Sequence, residues 1–131
     1  MKIRTLALAG FAFLAAAPAF AHHSFAMFDR QKLLTMSGTV REFEWTNPHV
    51  WIHMNVTQPT GKTEAWMVEG GAPTVLFRRG FSKTSLQAGT QIVVDGYRAK
   101  DGTNKMNARE ITFADGRKLF AGSEGTGAPT R

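Results

Sequence analysis

Cysteine is absent from the 131 residues, and that absence removes several function classes together. Disulfides, thiolate metal sites and a cysteine nucleophile are excluded, as is a lipoprotein anchor, which needs a cysteine at its cleavage point. Long hydrophobic runs are missing too. The longest, Leu6 to Ala17, falls short of the roughly 20 apolar residues a helix needs to cross a bilayer. Signatures of catalysis are also lacking: there is no nucleophile elbow, no phosphate loop and no two-histidine helix motif. Glu69-Gly70-Gly71-Ala72-Pro73 is glycine-rich but fits no nucleotide fingerprint, and its glycines serve a turn from strand to helix. The chain reads as a binding protein and not as an enzyme.

What is present begins with an address. Met1-Lys2-Ile3-Arg4 carries two cations, the apolar run follows, and Pro18-Ala19-Phe20-Ala21 ends in small residues. That three-part pattern predicts a secretory signal peptide over residues 1–21, cleaved after Ala21. The mature protein would start at His22 and have 110 residues, enough for one domain and one core. Its expected location is the periplasm or the exterior, with no membrane span left after cleavage. Residues 1–21 hold two of the 16 Lys and Arg and none of the 10 acids, so the remainder has a net charge of +4. So mild an excess suits acidic ligands or membrane surfaces without selecting either, and export argues against nucleic acid.

Residues 22–32 show no sustained period and read as a leader. Leu33 to Trp45 reads as a strand in which Leu34, Met36 and Val40 share one parity while Phe43 and Trp45 share the other. A change of parity demands an extra residue, and Gly38 or a neighbour is the expected bulge. Thr46-Asn47-Pro48 is a turn. From His49 to Gln58, Val50, Ile52, Met54 and Val56 alternate with His49, Trp51, His53 and Asn55, the pattern of a half-buried strand. Pro59-Thr60-Gly61 loops back into a strand from Lys62 to Glu69. Pro73 opens a short helix, Thr74 to Arg79, that Gly80 stops. Strands over Thr90–Arg98 and Lys105–Ala114 follow, and Asp115-Gly116 predicts a two-residue hairpin into a short edge strand, Arg117–Phe120. Gly, Ser, Thr and Pro dominate from Ala121 onward, which predicts a disordered tail over 121–131.

Three strands, a short helix and two more strands are the parts of an OB-fold. The predicted class is thus all-β with one short helix: a small five-stranded Greek-key barrel over residues 33–120, plus a C-terminal edge strand. A small open sandwich is the rival, and the helix between the third and fourth strands favours the barrel.

The stretches "HHSFAMFD", "GTVREFEWTNPHVWI", "EGGAP", "FRRGFSKTSLQAGTQIVVDGYRAKDG" and "GRKLFAG" resemble a family of small exported bacterial proteins of unknown function. The resemblance spans almost the whole mature chain and implies export and an OB-like barrel. It implies no substrate, cofactor or functional residue.

Candidate site residues therefore come from geometry. Consecutive strands alternate in direction, which places the Thr46-Asn47-Pro48 turn and Glu69-Gly70-Gly71 at one end of the barrel and gathers Trp45, Asn47, His49 and Glu69 there. If Val50 and Ile52 face the core, then His49, Trp51 and His53 face outward on the surface OB barrels commonly use. An outward tryptophan between two histidines calls for a partner or a cover. Trp45, Asn47, His49, Trp51, His53 and Glu69 are the ligand-binding candidates.

For a metal, copper above all, the candidates are His22, His23, His53 and Met67. A free terminal amine and the His22 imidazole would chelate together. His49 and His53, four residues apart on a strand, are roughly 13 Å from each other and cannot share one ion. His53 faces Met67 if the Pro59-Thr60-Gly61 loop has three residues; a two-residue loop turns Met67 inward instead. A small organic or anionic ligand, with Arg98 and Lys100 among the available cations, and a structural role in an envelope complex are the competing expectations.

Overall fold

The computed structural model describes residues 26–123. Among these residues six strands and one helix occur, in the order β1 (Phe28–Glu44), β2 (Trp51–Thr57), β3 (Thr63–Glu69), α1 (Pro73–Arg78), β4 (Gln91–Ala99), β5 (Lys105–Phe113) and β6 (Lys118–Phe120). Hydrogen bonds connect them as β3-β2-β1-β4-β5-β6, and a further pairing of β3 with β5 closes a ring through five strands. Every pairing is antiparallel except that closing one, which is parallel. The mostly β class, the single helix and the added edge strand are those the sequence predicts.

The alternating residues of β2 determine the interior. Val50, Ile52, Met54 and Val56 are all buried, and Trp66 and Val68 of β3 lie opposite Met54 and Ile52. Met36, Val40, Ile92, Val94, Met106 and Ile111 complete the core from the other strands. Leu76 of α1 packs into the same cluster, so the helix plugs one end of the ring. Pro73 occupies the first turn of α1, where its missing N–H costs nothing.

The β2–β3 and β5–β6 loops each have three residues. Gln58 N–H donates to the Lys62 carbonyl, leaving Pro59, Thr60 and Gly61 as the loop, with Gly61 at φ 84°. That left-handed position is open to glycine at no steric cost, and it fixes the β2–β3 register with His53 opposite Met67. The second loop corrects the expected two-residue turn. Phe113 N–H donates to the Arg117 carbonyl, so Ala114, Asp115 and Gly116 all lie in the loop.

Three further expectations change. β1 begins at Phe28 and not at Leu33, because Phe28 is buried and pairs with Ala99 of β4. The bulge in β1 falls at Arg41, between Val40 and Glu42, and not at Gly38. Gly38 answers to a different constraint: a Cβ there would collide with the Asn55 carbonyl oxygen and the Met54 methyl group. A Gly38→Val variant is expected to lose about 1–3 kcal/mol, the usual cost of overpacking, read as a lower midpoint in urea. Finally, Ala121 to Ser123 are docked and not a loose tail. Ala121 N–H donates to the Arg109 carbonyl, its own carbonyl accepts from Gly71 N–H, and the Arg79 guanidinium donates to the Gly122 carbonyl at 2.5 Å. The rest of the predicted tail, the signal peptide, His22 and His23 lie outside the described residues.

Candidate functional site

The Arg41 bulge positions the site. One extra residue flips the parity of β1, so that Phe43 turns to the core opposite Ile52 while Glu42 and Glu44 emerge on the outer face. On that face Glu42 pairs with His53 and Glu44 with Trp51. On the other side of β2, His53 faces Met67 and Trp51 faces Glu69. The outer row of β2 thus runs between two carboxylates of β1 and a thioether and a carboxylate of β3.

His53, Trp51 and His49 do project away from the core, yet none is fully open to water. Each imidazole is braced by an acid. His53 Nε2 lies 2.8 Å from Glu44 Oε1, with the imidazole largely shielded and the carboxylate half-exposed. His49 Nδ1 lies 2.5 Å from Glu69 Oε1, and this carboxylate is only 4 % exposed. A carboxylate that accepts from one ring nitrogen fixes the orientation of the imidazole and leaves the lone pair of the other nitrogen to accept a proton or bind a metal, the arrangement that supports metal-bound or proton-transferring histidines.

Glu42, Glu44 and His53 form a tighter group. Their donor atoms all lie within 4.8 Å of one another. Ligands about 2.1 Å from a common ion can stand at most about 4.2 Å apart, so small side-chain rotations bring these three onto one centre. Two carboxylates and an imidazole are a donor set for a divalent ion. The group contains one expected metal ligand, His53, and two residues that sequence reasoning passed over. The signal for them was present: with Phe43 and Trp45 inward, Glu42 and Glu44 had to face out.

The other expected residues divide. His49 and Glu69 meet, as the shared end of the strands predicts. Asn47 is exposed in the turn, where the Asn47–Pro48 peptide is cis. Trp45 goes elsewhere. It packs edge-on against Phe43, with ring centroids 5.6 Å apart, and lines a groove of about 330 Å³ with Pro73, Thr74, Phe77 and Arg78 of the helix. Phe77 stands 68 % exposed beside it, an apolar side chain that the sequence reading assigned only to a helix. Met67 is half-buried beside His53, and Lys105 of β5 pairs with it from the far side. The β4–β5 loop reaches this face as well, since Met67 N–H donates to the Asn104 carbonyl. In that loop Asp101 accepts from the Thr103 hydroxyl at 2.6 Å and the Thr103 amide at 2.9 Å, and these bonds, the hydroxyl's foremost, hold its carboxyl below the usual carboxylate range.

A five-strand hydrogen-bonded ring, a helix packed on the core through Leu76 and an outer face of braced histidines define a small single-core β protein. The chain belongs to a family of unknown function, DUF6152, whose model matches residues 11–108. That span takes in β1 to β4, the helix and the first residues of β5, and therefore every residue of the outer face described above. No curated protein matches the chain.

Proposed function

We propose that this protein is an exported binding module that holds a divalent transition-metal ion on the outer face of β1 and β2. The observation that supports this reading is the convergence of Glu42, Glu44 and His53 donor atoms within 4.8 Å, on strands whose pairing already fixes them side by side. The ion class follows from the donors. Carboxylate oxygens with one imidazole favour Zn²⁺ or Cu²⁺ and disfavour Cu(I), which seeks thioether and thiolate sulfur. Met67 stands next to His53 and tunes the site without defining it. Without an ion, the Glu44–His53 contact takes up the free valences of both groups; an ion at Nε2 calls for the tautomer with its proton on Nδ1, and acid competes with the ion for the same donors, so binding weakens as pH falls.

Calorimetric titration of Zn²⁺ or Cu²⁺ into the processed protein is expected to saturate at one ion per chain on this face. The E42Q/E44Q double variant and His53→Ala should each lose the binding. All three positions are at least partly open to solvent, so the fold is expected to survive, with an unchanged far-UV circular dichroism spectrum. An extra residue placed before His22 blocks the separate terminal chelate. Affinity that withstands both this block and His53→Ala would rule out the strand site.

A further inference from the structure

A second polar site lies at the opposite end of β2, where β1 leaves β2 and turns to pair with β4. Leu34, Thr35, Met36 and Ser37 of β1, Val56 and Thr57 of β2, Gln58, Trp66 of β3 and Arg98 of β4 surround a groove of about 300 Å³ there. Trp66 and Arg98 form its floor. The Arg98 guanidinium lies over the Trp66 ring, 5.2 Å from its centroid, and Trp66 is 97 % buried by its 3 % exposure. Two donors in this pair are unspent. Trp66 Nε1 and Arg98 Nε are both buried, and neither has a hydrogen-bond partner among the described residues. Buried polar atoms in folded proteins are almost always partnered, so two orphaned N–H donors on residues that line one groove point to an acceptor beside it.

The character of that acceptor follows from its surroundings. Both orphans are donors, one of them belongs to a guanidinium with a full positive charge, and the same guanidinium donates from Nη2 to the Gly102 carbonyl at 3.0 Å. The acids near the rim are already engaged: Glu64 accepts from the Gln58 amide at 3.1 Å and Asp95 accepts from the Thr35 hydroxyl at 2.5 Å. We infer that the groove between β1, β3 and β4 binds a small oxyanion, a carboxylate by first preference, through Arg98 Nε and Trp66 Nε1. A planar carboxylate offers two oxygens and can accept from two N–H donors at once. This site shares no residue with the Glu42–Glu44–His53 group and does not depend on the metal reading of the outer face.

The test reads the donor itself. The chain contains three tryptophans, Trp45, Trp51 and Trp66, so Trp→Phe variants suffice to assign the three indole N–H signals. Titration of the processed, metal-free protein with acetate, succinate and inorganic phosphate, at constant ionic strength in sodium chloride, should shift the Trp66 indole signal and saturate. Saturation by acetate and succinate alone assigns a carboxylate ligand; saturation by phosphate alone assigns a phosphoryl group; either supports an oxyanion site. Arg98→Lys keeps the charge but loses the planar fork, and should weaken binding about tenfold or more, the equivalent of one charge-assisted hydrogen bond. Because this variant retains a long apolar stem over Trp66, the core is expected to stay folded, and the other two indole signals report that directly. A Trp66 signal that stays still with every anion, or that moves equally in Arg98→Gln, would overturn the inference. The first outcome would mean that water alone occupies the groove.

Discussion

Replacing His49 by alanine is expected to cost about 3–5 kcal/mol of folding stability, while Glu69→Gln at the other end of the same contact costs far less. The asymmetry comes from burial. Glu69 ends β3 beneath the surface, 4 % exposed, and pairs in register with Asn107 of β5, which is buried as well. Removing the imidazole takes away a close partner, 2.5 Å away, of a carboxylate that is shielded from water. Changing the acid to its amide removes the buried charge, keeps the shape and still hydrogen-bonds to a ring nitrogen. Urea denaturation of the two variants at neutral pH measures both losses. Equal losses would show that Glu69 is satisfied without His49.

Ile52→Ala is expected to lower stability by about 2–5 kcal/mol, and Trp51→Ala by less, although tryptophan is the larger side chain. Ile52 is 1 % exposed, sits between Phe43 and Val68 in the pairing and leaves a closed cavity when truncated. Trp51 faces outward between Glu44 and Glu69, so its removal exposes surface to water and empties no interior space. The order of the two losses, read from thermal and urea midpoints, separates the two faces of β2. A larger loss for Trp51 would mean that the indole belongs to the core and that the outer face is not a binding surface.

These two predictions rest on the part of the molecule that was most legible. The His49-to-Gln58 alternation has a period of two, and period two leaves only a choice between faces; four apolar side chains on one side make that choice. The three-residue loop at Pro59-Thr60-Gly61 was one of two readings, and Gly61 at positive φ decides between them. The parity change in β1 was equally visible, but its location was not. Glycine is the usual suspect for a bulge, whereas Arg41 carries it because Val40 must meet Met54 and Phe43 must meet Ile52, which leaves one residue over between them. Glu42 and Glu44 were overlooked for the same reason. Their importance appears only when β1 is laid against β2 in register.

Composition and periodicity determined by themselves that this is a cysteine-free, mostly β chain, with one short helix after β3 and a strand whose histidines face away from the core. Those are local matters: backbone preference, side-chain alternation and turn chemistry act over a few residues. Tertiary structure alone decided which acid braces which imidazole, that Trp45 turns toward the helix, that Ala121 to Ser123 dock against β5 and Gly71, and that Trp66 and Arg98 share a groove with two idle donors. Each of these depends on residues far apart in the chain becoming neighbours across strands, and a hydrogen-bond register between distant segments leaves no mark on the period of either one.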